Sequence, residues 1–354
     1  MPEKIIETNP IDGPPGPPPG QPSDLRRCVR SMGALLIVFA IIYACFYAVW
    51  SRFPYVETGA SLVKQGKREL ARTANPFADA PPGAIKVMTF GHSKMLSGFI
   101  PSLFDSRMSE AGVPSVYSYN FGLPGEERFV ADLEVMVERG VAPDVAIFIV
   151  SWPAADEPGP TFFHFIQNER EIMEQLFPFR HLPRDTAIMA IEARGSLNGF
   201  ARVYAEARRI VNQVQVNRGY YFIARQSHYP NDELPDVFRS PGDTPLTPYE
   251  RAILGGPVRD RLLARLAAHK VRALFVPSYY REGEFAAPPP RNLASAAALE
   301  GRVGVDLLGP DYWRYPNKLF ADPTHLNPRG AEDYTLDLSK LVAPWFKQQN
   351  LKKN

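Results

Sequence analysis

Two short stretches of the chain hold residue types that can do chemistry together. In Thr89-Phe90-Gly91-His92-Ser93-Lys94 a serine follows the apolar run Ile85-Lys86-Val87-Met88, which reads as a strand. A strand that stops at Gly-x-Ser exposes the hydroxyl at the carboxyl edge of a parallel sheet, where open α/β folds build their sites. In Phe320-Ala321-Asp322-Pro323-Thr324-His325-Leu326-Asn327-Pro328-Arg329-Gly330 an aspartate precedes a histidine by three positions. That spacing lets the carboxylate hold one imidazole nitrogen while the other faces a serine. A hydroxyl at its free pKa is a poor nucleophile and needs such a base and such an orienting acid. The expected chemistry is acyl transfer, with Ser93 as nucleophile, His325 as base and Asp322 as orienter. The plain alternatives are a turn serine, a turn-capping aspartate and a surface histidine. His92 is not expected to be the base, because a side chain adjacent to Ser93 along a strand or tight turn points elsewhere.

These residues need a scaffold, and the hydrophobic pattern supplies one. Strands are expected at Ile85 to Phe90, Ser115 to Asn120, Asp144 to Val150, Val271 to Val276 and Val303 to Leu308. Helices are expected near Pro101 to Ala111, Glu126 to Arg139, Thr247 to Lys270, and from Asn327-Pro328 to Phe346, with proline tolerated at a first helical position. The run Val145 to Val150 is almost continuously apolar, as in a strand buried on both faces. Alternating strands and helices imply an α/β fold with a doubly wound parallel sheet. Residues 157–245 are long for a crossover and read as an inserted helical segment, a lid or a docking surface. Ordinary amphipathic packing is the default explanation of its aromatic residues.

The N-terminal region has a different character. Residues 1–30 carry the Pro/Gly-rich run Gly13 to Gly20 and read as a disordered tail. Ser31 to Ser51 is uncharged and long enough to cross a bilayer as one helix, with a signal peptide as the alternative. Arg26, Arg27 and Arg30 precede it and only Arg52 follows at once, so the N-terminus is expected in the cytoplasm and the main domain outside. Residues 52–83 read as a stalk, and the domain as residues 84–354. A net charge of +2 argues against nucleic acid as a partner. The two cysteines, Cys28 and Cys45, leave the domain without a disulfide framework or a Cys-based metal site. No metal or organic cofactor is expected.

Taken together, the Ser93 stretch and the Asp322/His325 stretch resemble the SGNH (GDSL-like) hydrolase and acyltransferase superfamily, over roughly residues 84–346. In that superfamily the serine follows the first strand and an Asp-x-x-His precedes the last helix. The resemblance implies a flavodoxin-like three-layer fold, and it implies Gly122 at the end of the second strand as a backbone oxyanion donor. Many members also have Gly-x-Asn-Asp after the third strand, where this chain has Ser151-Trp152-Pro153-Ala154. Ser151, the Trp152 backbone or Asn120 are the candidates to replace the missing asparagine. Membrane-anchored relatives of the DltD-like and alginate- or peptidoglycan-acetylation-like kind are looser in this block. Similarity to them implies a protein of the bacterial cytoplasmic membrane that O-acylates an envelope polysaccharide, together with a membrane-bound O-acyltransferase-type multi-spanning partner. Gly33, Ala34, Ala40 and Ala44 on the membrane helix would permit close packing against such a partner. The alternatives are a simple esterase or deacetylase, or a catalytically inactive glycan-binding scaffold.

Overall fold

The computed structural model describes residues 22–52, 58–124, 129–149, 186–187, 190–191, 193–221, 227, 229–238, 256–282, 303–310 and 312–349. The apolar N-terminal run forms helix α1 (Pro22–Arg52), within which Arg26–Val49 is long and apolar enough to cross a membrane. Its Leu35, Ile37 and Phe39 side chains are exposed. Water would penalise such a surface and lipid tails would not.

Five strands make one parallel sheet: β1 (Ile85–Gly91), β2 (Val116–Gly122), β3 (Val145–Ile149), β4 (Arg272–Val276) and β6 (Val305–Leu307), in the order β2-β1-β3-β4-β6. The chain leaves β1 toward one edge for β2 and returns past it to β3, so the order switches direction beside β1. In open sheets that switch opens a crevice at the carboxyl ends of the strands. Register is locked by a row of phenylalanines: Phe121, Phe90, Phe148 and Phe275 are paired neighbours across four strands. Successive ring centroids in that row lie 5.6, 5.4 and 5.1 Å apart. A slip of one residue would turn the whole row to the other face.

Helices cover both faces. On one side α3 (Ser93–Gly98), α4 (Pro101–Glu110) and α8 (Pro328–Gln348) share a core with Val87, Ile147 and Leu274 through Met95, Phe104 and Leu338. On the other, α2 (Thr58–Thr73), α5 (Phe129–Glu138) and α7 (Gly256–Ala268) pack on the phenylalanine row through Ala71, Leu133 and Leu262. A second, two-stranded parallel sheet pairs β5 (Ser278–Arg281) with β7 (Tyr312–Tyr315).

One expectation is corrected here. Of the segment read as a stalk, 52–83, the part from Thr58 onward is not separate, because α2 is built into the packed unit. Val63, Lys67, Ala71 and Phe77 are buried, Arg68 reaches Asp132, and Arg139 donates to the carbonyls of Ala71 and Ala74. Of the segment read as a helical insertion, 157–245, helix α6 (Leu197–Val216) packs against α2. Val214 and Ile210 of α6 join Val63, Leu96 and Tyr221 in a small core of their own. Residues 239–255, where the Thr247 helix start was expected, lie outside the described residues.

Candidate active site

Ser93 opens α3 immediately past the carboxyl end of β1, and it is partly exposed. The turn is tied by His92, whose Nδ1 accepts the Lys94 backbone N–H at 3.2 Å. An accepting Nδ1 on a neutral ring puts the ring proton on Nε2. Burial, reinforced by the charges of Lys94 and His325, lowers the His92 pKa to about 3. His92 is therefore a neutral helix cap at physiological pH and holds no basic nitrogen there.

A six-residue helix cannot hold itself, because nucleation costs more than so few hydrogen bonds return. Neighbours hold α3 instead. Asn120, fully buried on β2, donates its amide Nδ2 to the carbonyls of Met95 (2.8 Å), Leu96 (3.2 Å) and Phe99 (2.8 Å). Its Oδ1 accepts the Gly122 N–H at 2.9 Å. A Cβ on Gly122 would meet the backbone of Leu96, so glycine is what allows β2 to end against α3. Lys94 reaches back from α3 to the Tyr279 carbonyl at 2.8 Å, with its Nζ 3.6 Å from the centroid of the Tyr280 ring.

Asp322 and His325 sit in a tight loop closed by a Phe320–Leu326 bridge. Asp322 Oδ2 accepts His325 Nδ1 at 2.8 Å, while Oδ1 accepts the backbone N–H groups of Thr324 and His325 at 2.8 and 2.9 Å. With Nδ1 donating to a carboxylate, Nε2 carries the lone pair. Burial by itself would raise the Asp322 carboxyl, but the hydrogen bond and charge of His325 and the two backbone donors outweigh it and hold the pKa below its ordinary value. The loop is fastened at its carbonyls. Leu234 N–H bonds Phe320 O at 2.6 Å, Ser227 Oγ bonds Ala321 O at 2.8 Å and Arg281 Nε bonds Pro323 O at 3.2 Å. Asn327 then caps α8 by accepting Gly330 N–H, and Pro328 takes the first helical position.

Tyr279 is the strut between the two halves. Its hydroxyl donates to Lys94 O at 2.9 Å, and its ring packs edge-on against Phe320 and Tyr334, with centroids 6.0 and 5.1 Å away. From the α8 side, Thr335 bonds both Gly98 O and Ile100 N–H at the end of α3. The Ser93 helix and the Asp322–His325 loop are thus braced on shared neighbours. Among the described residues, Ser93 Oγ and His325 Nε2 are each without a hydrogen-bond partner, so the two are not bonded to each other in this arrangement.

The expected oxyanion donors fare differently. The Gly122 N–H and the Asn120 amide are both consumed in holding α3, so neither is free to meet an oxyanion in this arrangement. Ser151 and Trp152 lie outside the described residues. The sequence reading also missed Tyr279, Arg281 and the role of Lys94. Their signal is position, since Ser278-Tyr279-Tyr280-Arg281 follows β4 directly at the carboxyl edge of the sheet. Among the described residues no group of acidic, histidine and cysteine side chains is arranged to hold a metal ion. Comparison with family models, with curated proteins and with solved structures finds no match for the chain.

Proposed function

We propose that this chain is a membrane-anchored, extracytoplasmic serine O-acyltransferase of the SGNH kind, acting on an envelope polysaccharide through an acyl-serine intermediate. The observation that carries the reading is the Asp322–His325 pair, with Nδ1 on the carboxylate, in a fastened loop braced against the helix that Ser93 opens. In the first half-reaction His325 Nε2 takes the Ser93 proton as Oγ attacks the acyl carbonyl. The tetrahedral oxyanion then collapses, and the leaving group departs with that proton. In the second half-reaction a sugar hydroxyl gives its proton to His325 and attacks the acyl-serine, and Ser93 is restored. Asp322 stabilises the imidazolium in both halves without taking its proton. The Ser93 backbone N–H, at a first helical turn where such groups lack intrahelical acceptors, is the oxyanion donor this reading favours.

Arg26, Arg27 and Arg30, in the first turns of α1 ahead of its apolar run, argue for a cytoplasmic N-terminus, and with it for Ser93 on the outer side of the membrane. Activated acyl groups are made in the cytoplasm, and one apolar helix offers no polar path across lipid. The reading therefore includes a multi-spanning partner of the membrane-bound O-acyltransferase type to deliver the acyl group. An esterase would share the first half-reaction and differ only in using water for the second. The test is covalent labelling of the full chain in detergent. A fluorophosphonate is expected to modify Ser93 alone, and to do so far more slowly in His325→Ala. Labelling elsewhere, or an equal rate in that variant, would overturn the assignment.

A further inference from the structure

Lys67 is a buried cation-forming group that the reaction above does not use. It stands on α2, the helix that follows the membrane segment, and is 1 % exposed. Its Nζ donates to the Gly122 carbonyl at 2.8 Å, and among the described residues no carboxylate pairs with it. Burial holds its pKa well below the ordinary lysine value. If packing were all the site required, an apolar side chain of the same length would serve at lower cost.

Gly122, the residue whose carbonyl Lys67 meets, is bonded through both of its peptide groups. Its carbonyl belongs to the peptide whose Leu123 N–H donates to Gly91 O at 2.9 Å, two residues before Ser93. Lys67 therefore polarises an amide that donates to the turn between β1 and α3. The Gly122 N–H belongs to the preceding peptide and donates to Asn120 Oδ1, while Asn120 Nδ2 donates to the carbonyls of Met95, Leu96 and Phe99 toward the carboxyl end of α3, the six-residue helix whose first residue is Ser93. Gly122, the last residue of β2, thus meets both ends of α3 and is held in turn by Lys67.

We propose that Lys67 is a positioning residue for Ser93: by fixing Gly122 it steadies both the Gly91 turn that precedes α3 and the Asn120 amide that holds its far end, and so the direction of the Ser93 hydroxyl relative to His325. The proposal rests on Ser93 being the nucleophile. Its test compares the full-length wild type in detergent with Lys67→Met, which keeps length and apolar packing but removes the donor, and Lys67→Gln, which returns an N–H without charge. Three quantities are read: the rate of fluorophosphonate labelling at Ser93, hydrogen exchange of the Leu96 and Phe99 amides, and the thermal midpoint.

In Lys67→Met, labelling is expected to slow about 10- to 100-fold, the usual effect of a misplaced reacting group. The two amides exchange faster, the thermal midpoint does not fall, and Lys67→Gln recovers part of the rate. Labelling of Lys67→Met at the wild-type rate would overturn the proposal. So would a slower rate matched by a lower midpoint, which marks an ordinary packing role. If the wild type is itself unlabelled while exchange still quickens in Lys67→Met, it is the nucleophile assignment that fails, and the coupling of Lys67 to α3 stands.

Discussion

Ser93→Ala is expected to lower turnover of a soluble acyl ester about a millionfold, to the level left by binding and polar stabilisation alone. The change should leave the fold intact. The Ser93 side chain is partly exposed and has no hydrogen-bond partner among the described residues, while its carbonyl, which accepts Ser97 Oγ, is unchanged by the substitution. Steady-state kinetics and thermal denaturation measured on the same preparation separate loss of chemistry from loss of structure. His325→Ala is expected to cost nearly as much, and the double variant little more than either, because both residues act on one proton transfer. Additive losses would mean that the two do not work as a unit.

Asp322→Asn is the second large effect, about 10⁴-fold in kcat, and the geometry explains why so small a change is so costly. Oδ1 of residue 322 accepts two backbone N–H groups, and an asparagine carbonyl does this equally well, so the loop stays as it is. What changes is the nearer of the two groups facing His325 Nδ1: the accepting Oδ2 at 2.8 Å becomes a donating NH₂, while Oδ1, already shared with the two backbone N–H groups, stands at 3.0 Å. That NH₂ favours an imidazole that accepts at Nδ1 and carries its proton on Nε2, the wrong form for a base. Nitrogen NMR of His325 should show the exchanged tautomer alongside the lost turnover. In the unaltered protein the Asp322 carboxyl lies below its ordinary pKa, so its hydrogen bond to His325 is fully present above the unfolded aspartate value of about 3.9. That contribution is lost only as pH falls through the lowered folded value.

Much of the frame that positions these groups was legible because it rests on pattern. Strands β1, β3 and β4 fall where their apolar runs place them, and β3, the most continuous of these runs, is buried on both faces as such a run implies. The Asn327-Pro328 start of α8 carries its own cap and first-turn proline. Asp322 and His325 sit three apart in one tight loop, so their contact is local and follows from spacing. What escaped depends on contacts between distant segments. Asn120 and Gly122 looked like donors for a substrate because each has a donor at a strand end, yet the Asn120 amide donates to backbone carbonyls of α3 and the Gly122 N–H to the Asn120 side-chain oxygen. Lys64, Lys67 and Arg68 gave α2 the look of a solvated stalk. Nothing local in that stretch reveals that Lys67 turns inward to a carbonyl 55 positions away. The four-residue strands β5 and β7 are too short to show a period, and each gains its identity from the other.

The two donors at Asn120 and Gly122 deserve their structural reading for a mechanistic reason as well. A nucleophile borne on so short a helix is only as well aimed as the groups that clamp it, and catalytic geometry tolerates little looseness. Lys94 and Tyr279 from one side, Thr335 from α8, and Asn120 with Lys67 from β2 and α2 form that clamp. It spans both layers of helices and is centred on the end of α3 rather than on the serine itself, so the hydroxyl stays open to a substrate.

The most direct measurement is the mass of the intact full-length chain after brief mixing with an activated acyl ester and acid quenching, with Ser93→Ala treated in parallel. A covalent acyl-serine predicts a wild-type mass raised by one acyl group, no such gain in Ser93→Ala, and faster loss of the adduct when a sugar acceptor is added before the quench. An unmodified wild type, or an adduct that persists in Ser93→Ala, would contradict it.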